Sequence, residues 1–451
     1  MAKPTIILAT SNGIGMGHLA RATAIALELA PFARPIIVSV AGGIAELPAT
    51  TAIACEYIPG KNRGWMARKD WDTYFRDRLV AIAEESGASL ISFDGVVPYP
   101  GFIATKLSRP TLKLVWVRRG LWQRNALRFA LPFQSRLVDS VIEPGDVARA
   151  YDHGPTSSRT DAHLSAPVSL YRAQSAKGRD EARKILGLDA GKPAVLVQLG
   201  TGDSDMNEKL RAALLGLKSW PDVQIVLTKE PVDMDGKSLV PEGVEVKIVR
   251  YFPLADLLSA FDGAIAATGY NSVHELLPAR IPTVFISNIR GTDDQDARAQ
   301  WCHDFGYALR ANHADLADIT ATVVKLCDPS TRASLSAKCI ELKNTEGGAE
   351  IAQLLLKIAN NPELAHESSI KKLIRLIAVK GLHLATTIYR TLRPQPFATN
   401  ISVEEPIFSE EVDATFLRTA IKGNRRFEQL IPGSSLAYKN KRAAIAARVY
   451  R

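Results

Sequence analysis

A glycine-rich loop that ends in a histidine is the first group of residues whose types and spacing could do chemistry. The run TIILAT (5–10) leads into SNGIGMGHLARATAIA, which places Gly13, Gly15, Gly17 and His18 between a strand and a helix. Glycines let a ligand approach the backbone N–H groups at a helix N-terminus, where phosphates and sugars bind. The helix dipole disfavours a protonated imidazole, so His18 stays able to take a proton from a hydroxyl. A tight strand-to-helix corner and a histidine that only caps the helix are the alternatives.

The spacing of this loop argues against a dinucleotide site. It reads G-x-G-x-G-H rather than G-x-G-x-x-G, and no Asp or Glu ends the next strand-like run, RPIIVSV (34–40). We therefore predict that Gly15 and Gly17 bind a ligand other than NAD and that His18 is a general base.

A second group of polar residues opens a helix in the other half of the chain. The strand-like run DGAIAAT (262–268) is followed by GYNSVHELL, so Gly269, Asn271 and Ser272 lie at the start of that helix, where backbone amides favour an anion. Glu275 projects about one turn further along, and a carboxylate there suits the two hydroxyls of a ribose. A surface salt bridge is the alternative for Glu275.

Charged residues end two of the predicted strands in the first half. Asp94 closes SLISF and would sit at the carboxyl edge of the first sheet, where open α/β sheets place their ligands. It either orients His18 through the second ring nitrogen or simply ends a turn. Arg118 and Arg119 follow TLKLVWV at the same edge, where they could meet an anionic acceptor or form surface ion pairs.

Aromatic residues gather in the first half of the chain. The basic loop GKNRGWMARKDW (60–71) carries Trp65 and Trp71, and Trp116 and Trp122 follow it. Aromatic faces stack on sugar rings and basic groups hold phosphate, so this loop is predicted to bind an acceptor. Core packing is the alternative for these tryptophans.

The elements that must position these residues alternate strand with helix. Short β-branched runs in residues 5–117 are separated by helical patterns, and the alternation resumes after an irregular stretch at 152–178. Such alternation builds parallel sheets from βαβ units. We predict an α/β protein with two Rossmann-like domains facing across a cleft, residues 1–165 and 166–361, the second closed by a helix over 346–360.

The composition is that of an ordinary globular protein. The 451 residues are 46% hydrophobic and 23% charged, and no apolar run reaches the roughly 18 residues of a membrane-spanning helix. The start of the chain lacks the features of a secretion signal, so we expect a cytoplasmic protein. Its 4 cysteines are far apart, which indicates free thiols and no metal site.

Most of the positive charge lies near the end of the chain. The formal net charge is +9, and residues 363–451 hold 15 Lys and Arg against 8 Asp and Glu, so the body is nearly neutral. A nucleic-acid enzyme would more often spread basic residues over a docking face. We therefore predict a basic C-terminal helical extension over 362–451 and no nucleic-acid partner.

The run SSIKKLIRLIAVKGLHLATTIYRTLRP (368–394) predicts a basic amphipathic helix in this extension. Its apolar positions share one stripe: Ile370, Leu373, Ile374, Ile377, Leu384, Ala385, Ile388 and Leu392. The stripe either lies on an anionic membrane surface or packs back across the first domain.

The sequence resembles the GT-B glycosyltransferases that use nucleotide sugars. The likeness rests on the glycine loop ending in G-H, on RYFPLADLLSAFDGAIAATGYNSVHELLPARIPTVFI (250–286) and on the later DDQ, in matching order and separation over residues 1 to about 361. Within that group, the chain is most similar to the family of the N-acetylglucosaminyltransferase that completes the lipid-linked peptidoglycan precursor.

The resemblance implies a set of residues that bind the donor: Gly200, Thr201 and Gly202 at the diphosphate, the backbone of Phe252 at the uracil, Gly269, Asn271 and Ser272 at phosphate, Glu275 at the ribose, and Asp294 with Gln295 at the sugar hydroxyls. The family carries a second glutamine where this chain has Asp296. That departure leaves the identity of the donor sugar open.

The resemblance also implies an activity. It is the inverting, metal-independent transfer of a sugar from a UDP-sugar donor to a glycan or lipid-linked acceptor, and it needs no cofactor. His18 would be the base, and Asp94 would orient His18. The protein would act in the cytoplasm or at the inner face of the cell membrane. Two alternatives stay open, a UDP-N-acetylglucosamine 2-epimerase-like enzyme and a non-catalytic nucleotide-sugar-binding protein. The loop ending in His18 and the aromatic basic loop favour transfer, because an epimerase has no acceptor to hold and a binding protein does not need His18.

Overall fold

The computed structural model describes most of the chain up to Asn361 and a few positions beyond it. The described residues are 3–11, 16–41, 44, 47, 51–61, 66, 68–124, 126, 130–200, 204–228, 238–289, 291–342, 346–361, 377–381, 384, 385 and 388. Three predicted ligand-binding residues, Gly15, Thr201 and Gly202, lie outside them.

The first half of the described chain folds around a wholly parallel, seven-stranded sheet. Its strands are β1 (Thr5–Thr10), β2 (Arg34–Ser39), β3 (Ala54–Tyr57), β4 (Leu90–Asp94), β5 (Lys113–Val117), β6 (Ser140–Glu143) and β7 (His163–Leu164). Their order across the sheet is β3-β2-β1-β4-β5-β6-β7. Ile7 and Ala9 of β1 enter the hydrophobic cluster on one face, and Ile6 and Leu8 enter the cluster on the other. Both faces are therefore covered, as parallel sheets require.

Helices provide that cover. Those of the first half are α1 (Gly17–Leu29), α2 (Arg68–Ser86), α3 (Pro100–Ser108) and α4 (Ala130–Ser135). α3 begins at Pro100, whose fixed φ suits the first helical turn. Gly101 lies so close to the Asp72 carbonyl oxygen of α2 that any side chain would collide with it. The glycine thus permits the close packing of α2 against α3.

The second half of the described chain repeats the plan with a parallel sheet of six strands. They are β8 (Ala194–Gln198), β9 (Gln224–Leu227), β10 (Val246–Ile248), β11 (Gly263–Ala267), β12 (Thr283–Ile286) and β13 (Leu309–Ala311). The helices are α5 (Arg179–Leu186), α6 (Ser204–Leu217), α7 (Tyr270–Leu276), α8 (Gln295–Asp304), α9 (Leu316–Leu326) and α10 (Pro329–Lys338). Leu196 faces one hydrophobic cluster, and Val195 and Val197 face the other.

Both sheets have the Rossmann strand order. The second sheet runs β10-β9-β8-β11-β12-β13, which is the order 3-2-1-4-5-6 that the first sheet also follows before it adds β7. In this order the chain reverses direction across the sheet between β1 and β4, and between β8 and β11. Ligands of open α/β sheets bind at such switch points, beyond the carboxyl ends of the strands. The prediction of two Rossmann-like domains is confirmed; their exact boundaries remain predictions.

The predicted closing helix is present as α11 (Gly347–Asn360), and it packs on the first domain. Ile351 and Leu355 are fully buried in the same hydrophobic cluster as α1. Lys113 of β5 donates from Nζ to the carbonyl oxygens of Ile358, Ala359 and Asn361, at 2.8, 3.0 and 2.7 Å. The Ile358 carbonyl oxygen also accepts from Asn361 N at 3.3 Å, and the Lys113 ammonium supplies a further donor where the helix ends and its own N–H groups run out.

The extension is helical at the positions described beyond residue 376. Val379 is only 1% exposed and joins the first domain's hydrophobic cluster. Four described members of the predicted stripe face solvent instead: Ile377 and Leu384 are 60% exposed, Ile388 is 48% exposed, and Ala385 is exposed as well. At these positions the expectation that the stripe packs back across the first domain is wrong, because the opposite side of the helix makes that contact. The stripe positions 370, 373, 374 and 392 lie outside the described residues.

Within the described residues, no helix combines the length and the apolar character that crossing a membrane requires.

Candidate active site

The switch point of the first sheet brings His18 and Asp94 together. β1 leads into the glycine loop and α1, while the adjacent β4 ends at Asp94, so both side chains lie beyond the same sheet edge. His18 Nδ1 lies 2.6 Å from Asp94 Oδ1, and Asp94 is 3% exposed. The predicted contact is present. The alternative of a helix-capping histidine is not supported, because the His18 ring bonds Asp94 and the N-cap position belongs to Met16.

A third charged residue, Arg21, completes this cluster. It lies one helical turn after His18, is 3% exposed and donates from Nε to Asp94 Oδ2 at 2.6 Å and from Nη2 to Oδ1. The sequence interpretation missed Arg21, although the spacing of three residues from His18 on a predicted helix places both on one face.

The surroundings of His18 favour a neutral imidazole beside an ionised Asp94 carboxylate. Burial lowers the pKa of His18, and the Arg21 charge lowers it further, against the raising effect of Asp94. Burial alone would raise the pKa of Asp94, but Arg21 and the His18 hydrogen bond outweigh it and lower that pKa to about 2. A neutral His18 then donates from Nδ1–H to Asp94, which leaves Nε2 as the basic nitrogen.

The switch point of the second sheet carries the predicted donor residues. Gly200 follows β8 with a φ of 83°, a left-handed conformation that favours glycine. Gly269 precedes α7, whose first turn holds Asn271 and Ser272, both half-buried. Asn271 Nδ2 donates to the Gly17 carbonyl oxygen at 3.1 Å. The starts of α7 and α1, which belong to different domains, therefore touch.

Glu275 is a half-buried carboxyl in the last turn of α7. Burial, reinforced by the nearby Asp256 carboxylate, raises its pKa to about 8. Among the described residues, no ion pair is observed for Glu275, which was the predicted alternative. Phe252 packs partly buried against the first domain's hydrophobic cluster that contains α1. Phe252, a residue of the predicted nucleotide pocket, thus lies on the side of the second domain that faces the first.

The acidic-Gln pair at the start of α8 is engaged in local contacts. Asp294 accepts from Ala297 N at 3.0 Å as the N-cap of α8, and Gln295 Oε1 accepts from Asn288 N at 2.9 Å. Asp296, where the family has its second glutamine, pairs with Arg310 of β13 at 2.9 Å. The residue at the departure thus takes part in an ion pair within the second domain.

A buried ionic cluster joins the two domains near this site. Arg298 of α8 is fully buried and pairs with Asp146, which follows β6, at 2.9 Å and with Asp293 at 2.8 Å. His274 of α7 accepts from Val147 N at 3.2 Å through Nε2, and burial lowers its pKa to about 4. These residues were missed, because nothing in their local sequence reveals which buried partner each one has.

The predicted roles of two arginines need correction. Arg118 is fully buried and pairs with Glu143 at 2.9 Å and Asp161 at 3.1 Å, so it neither meets an acceptor nor forms a surface ion pair. Arg119 is largely buried and lies 3.5 Å from Asp293 across the domain interface. The strand that precedes them ends at the sheet edge as predicted, but their side chains turn inward to carboxylates.

The tryptophans belong to the core of the first domain. Trp71 and Trp122 are 1% exposed and Trp116 is fully buried, so none of the three offers a free face to a sugar ring. Trp71 Nε1 donates to the Pro59 carbonyl oxygen at 2.7 Å, which satisfies its polar atom within the fold. The alternative of core packing is therefore correct for these three, and Trp65 lies outside the described residues.

In the part of the chain that the structure describes, no three His, Cys, Asp or Glu side chains come together in a way that could hold a metal ion.

Comparison with known sequences supports the predicted resemblance. No protein-family model matches the chain. A UDP-N-acetylglucosamine–N-acetylmuramyl-(pentapeptide) pyrophosphoryl-undecaprenol N-acetylglucosamine transferase from Nocardioides sp. (strain JS614) is 25% identical over 278 residues, which cover 60% of this chain and 72% of the relative. The protein of the same name from Rhodococcus jostii is 24% identical over 295 residues, with coverages of 62% and 75%.

Solved structures share the fold. MurG of Acinetobacter baumannii matches with a TM-score of 0.50 and 18% identity, covering 79% of this chain and 99% of that one. Phytolacca americana UGT2, complexed with UDP-2fluoro-glucose and pterostilbene, matches with a TM-score of 0.54 and 13% identity over the same shares. The chain has the GT-B fold, and the predicted resemblance to glycosyltransferases is confirmed. The two curated relatives are named as transferases, which supports transfer over epimerisation.

Proposed function

We propose that this chain transfers a sugar from a UDP-sugar to a hydroxyl of a glycan or lipid-linked acceptor, with inversion at the anomeric carbon. The observation that carries the proposal is the contact between the two switch points. His18, with Asp94 at 2.6 Å, lies beside α7, and Asn271 of α7 donates to Gly17 at 3.1 Å. A base and a donor-binding helix brought together in this way are what transfer between two bound substrates requires.

His18 would act on the acceptor. Nε2 takes the proton of the acceptor hydroxyl as its oxygen attacks the anomeric carbon, and the bond from that carbon to the diphosphate breaks. The resulting imidazolium keeps its Nδ1–H bond to the Asp94 carboxylate, which favours the charged ring by hydrogen bond and by charge. UDP leaves with the bonding electron pair, and the new linkage has the opposite configuration.

The second domain would hold the donor. Glu275 binds the ribose hydroxyls, the backbone of Phe252 meets the uracil, and Asp294 with Gln295 reads the sugar hydroxyls. The diphosphate would be held by Gly269, Asn271 and Ser272 together with the loop formed by Gly200, Thr201 and Gly202. The half-buried Glu275 supports this assignment, since its carboxylate gains partners when two hydroxyls approach.

Release of UDP tests the proposal against its rivals. The protein is mixed with UDP-N-acetylglucosamine or another UDP-sugar, with and without lipid-linked or soluble acceptors. A transferase releases UDP only when a suitable acceptor is supplied. An epimerase changes the sugar without needing an acceptor, and a binding protein takes up UDP-sugar without turnover. Either of the last two results would refute transfer.

We further propose that the extension places the enzyme on an anionic bilayer, at the inner face of the cell membrane. The stripe residues Ile377, Leu384 and Ile388 are exposed, while Val379 fixes the helix to the first domain. Most of the net positive charge lies in residues 363–451. Apolar burial and attraction to anionic lipids would add together, and a lipid-linked acceptor would then lie within reach of the first domain.

Sedimentation with anionic liposomes at low salt tests this placement. The triple variant I377S/L384S/I388S should stay folded and lose sedimentation, because those side chains do not pack in the described fold. Ile340→Ser is the matched control, since Ile340 is also 60% exposed but lies in the second domain. Equal sedimentation of the wild type and the triple variant would refute the role of the stripe.

A further inference from the structure

We propose that Arg21 and Tyr270 form a positioning pair that holds the His18–Asp94 unit in register with the donor-binding helix α7. The proposal rests on the proposed function and adds two residues to its machinery. Neither would touch the substrate. Arg21 acts through Asp94, and Tyr270 acts through the start of α7.

Arg21 takes up both oxygens of Asp94. Its Nε donates to Oδ2 at 2.6 Å and its Nη2 donates to Oδ1, while Nη2 also lies 3.2 Å from His18 Nδ1. A guanidinium that binds a carboxylate through two nitrogens fixes the plane of that carboxylate as well as its position. Since Oδ1 also receives the His18 proton, the orientation of the imidazole follows from the orientation of Arg21.

Tyr270 brings the second domain to the same point. The Arg21 guanidinium carbon lies 5.0 Å from the centre of the Tyr270 ring, within the range of a cation–π contact. The Tyr270 hydroxyl donates to the Gly145 carbonyl oxygen at 2.8 Å and accepts from Val168 N at 2.9 Å. Burial raises the pKa of Tyr270, so the hydroxyl keeps the proton that it donates.

These contacts hold the first turn of α7 against the first domain. Gly145 follows β6 and Val168 follows β7, and Val168 lies in the first domain's hydrophobic cluster. The next residue of α7, Asn271, makes the contact to Gly17, one residue before His18. Two contacts therefore link the base to the donor helix. One is the hydrogen bond from Asn271 to Gly17, and the other, which is buried, is the contact between Arg21 and Tyr270.

The charges that face His18 come from three elements of the described chain. Asp94 of β4 is the carboxylate among them, Arg21 lies on α1, and Arg119 follows β5. Asp94 favours the imidazolium, and both arginines oppose it. Tyr270 of α7 and Asp293, before α8, face Arg21 rather than the ring. Loss of the Arg21 charge should thus make His18 easier to protonate.

This difference separates a positioning role from a merely structural one. Transfer needs neutral His18, so kcat/KM falls as the pH drops below the pKa of His18. The fall of kcat/KM at low pH is the acid limb of the pH profile. Arg21→Met should move this acid limb to higher pH and lower kcat by about 10-fold or more, as positioning losses near a catalytic histidine do. Arg21→Lys keeps the charge, so the limb should stay near the wild-type position while kcat falls with the loss of two-point contact.

Tyrosine variants test the second member of the pair. Tyr270→Phe keeps the ring but removes both hydroxyl contacts, and kcat should fall roughly 5-fold or more. Tyr151→Phe is the matched control, because the Tyr151 hydroxyl also crosses between the domains, to Asp304 at 2.8 Å, but at an exposed position outside the His18–Asp94–Arg21 cluster. That control should stay within about 2-fold of the wild type, as exposed single contacts usually do.

All variants are assayed for acceptor-dependent UDP release across pH, with UDP affinity by calorimetry and melting temperature alongside. An unshifted acid limb in Arg21→Met, or equal kcat losses in Tyr270→Phe and Tyr151→Phe, would overturn the proposal. If Arg21→Met does not fold, Arg21→Lys and Tyr270→Phe test the proposal instead: each should lower kcat while UDP affinity stays unchanged. Failure of the proposed function would look different, because the wild type itself would then release no UDP.

Discussion

Replacing Glu275 with glutamine should stabilise the free protein at alkaline pH. Burial and Asp256 raise the pKa of Glu275 to about 8, whereas the unfolded chain releases this proton near 4.5. Between those values the folded state binds more protons than the unfolded state, so the free energy of unfolding falls as pH rises. A glutamine side chain cannot titrate, and the variant should escape this loss.

The size of the effect follows from the two pKa values. One pKa unit corresponds to about 1.4 kcal/mol, so a pKa near 8 instead of 4.5 sets an upper limit of roughly 5 kcal/mol on the destabilisation. Glu275 is only half-buried, and solvent screening reduces the value to about 1–3 kcal/mol. For domains of this size, that is a change in melting temperature of roughly 2–10 °C.

The assay compares melting temperatures of the wild type and Glu275→Gln at pH 5 and at pH 8.5. Only the change in their difference counts, which removes any pH-independent effect of the substitution. The same comparison is repeated in protein that carries Asp256→Asn. This substitution removes the neighbouring negative charge, so the effect of pH on the difference in melting temperature should become smaller. A difference that is the same at both pH values would refute the reasoning. A separate variant, Glu275→Ala, should bind UDP about 10-fold to 150-fold more weakly by calorimetry at pH 8.5, where the carboxylate is mostly ionised, since it removes the acceptor of the ribose hydroxyls.

Three further substitutions probe the base and the frame that carries it. His18→Ala should lower kcat by about 100-fold to 10,000-fold and leave UDP-sugar affinity by calorimetry nearly unchanged, because His18 belongs to the acceptor side; retention of more than about a tenth of kcat would contradict its role. Asp94→Asn should lower kcat by up to about 10,000-fold, because Arg21 and His18 lose the anion between them, and steady-state UDP release measures this. Lys113→Met should reduce the urea unfolding free energy by about 1–3 kcal/mol, because the last carbonyls of α11 lose their buried partner; an unchanged midpoint would show that this contact contributes nothing.

The strands that could be predicted are those buried on both faces. β1 and β11 read as largely apolar runs, and the structure places each within a residue or two of its predicted bounds. β3, β6, β7 and β13 were missed, because all four are short, and β3, β7 and β13 also lie at sheet edges. A local apolar pattern reports burial, and edge strands have little of it.

The contact between His18 and Asp94 was within reach of the sequence for a related reason. Both residues follow buried strands, and the carboxyl ends of adjacent parallel strands meet at one edge of the sheet.

Composition was a poorer guide for the tryptophans. Their number suggested stacking on sugars, but Trp71 and Trp116 fill the space between sheet and helices, and an aromatic side chain gives no sign in the sequence of which surface it contacts.

The ionic contacts between the domains could not be predicted at all, and the reason bears on how the site is held together. Arg298 is fully buried with carboxylates from both sides of the interface, Asp293 from its own domain and Asp146 from the connection after β6. A buried guanidinium is strongly unfavourable unless its partners are in place, and those partners arrive only when the two sheets adopt this mutual orientation. The orientation and the cluster therefore determine each other. The same orientation sets Tyr270 over Arg21, so the ionic cluster that stabilises the interface also fixes the distance between the base and the donor helix.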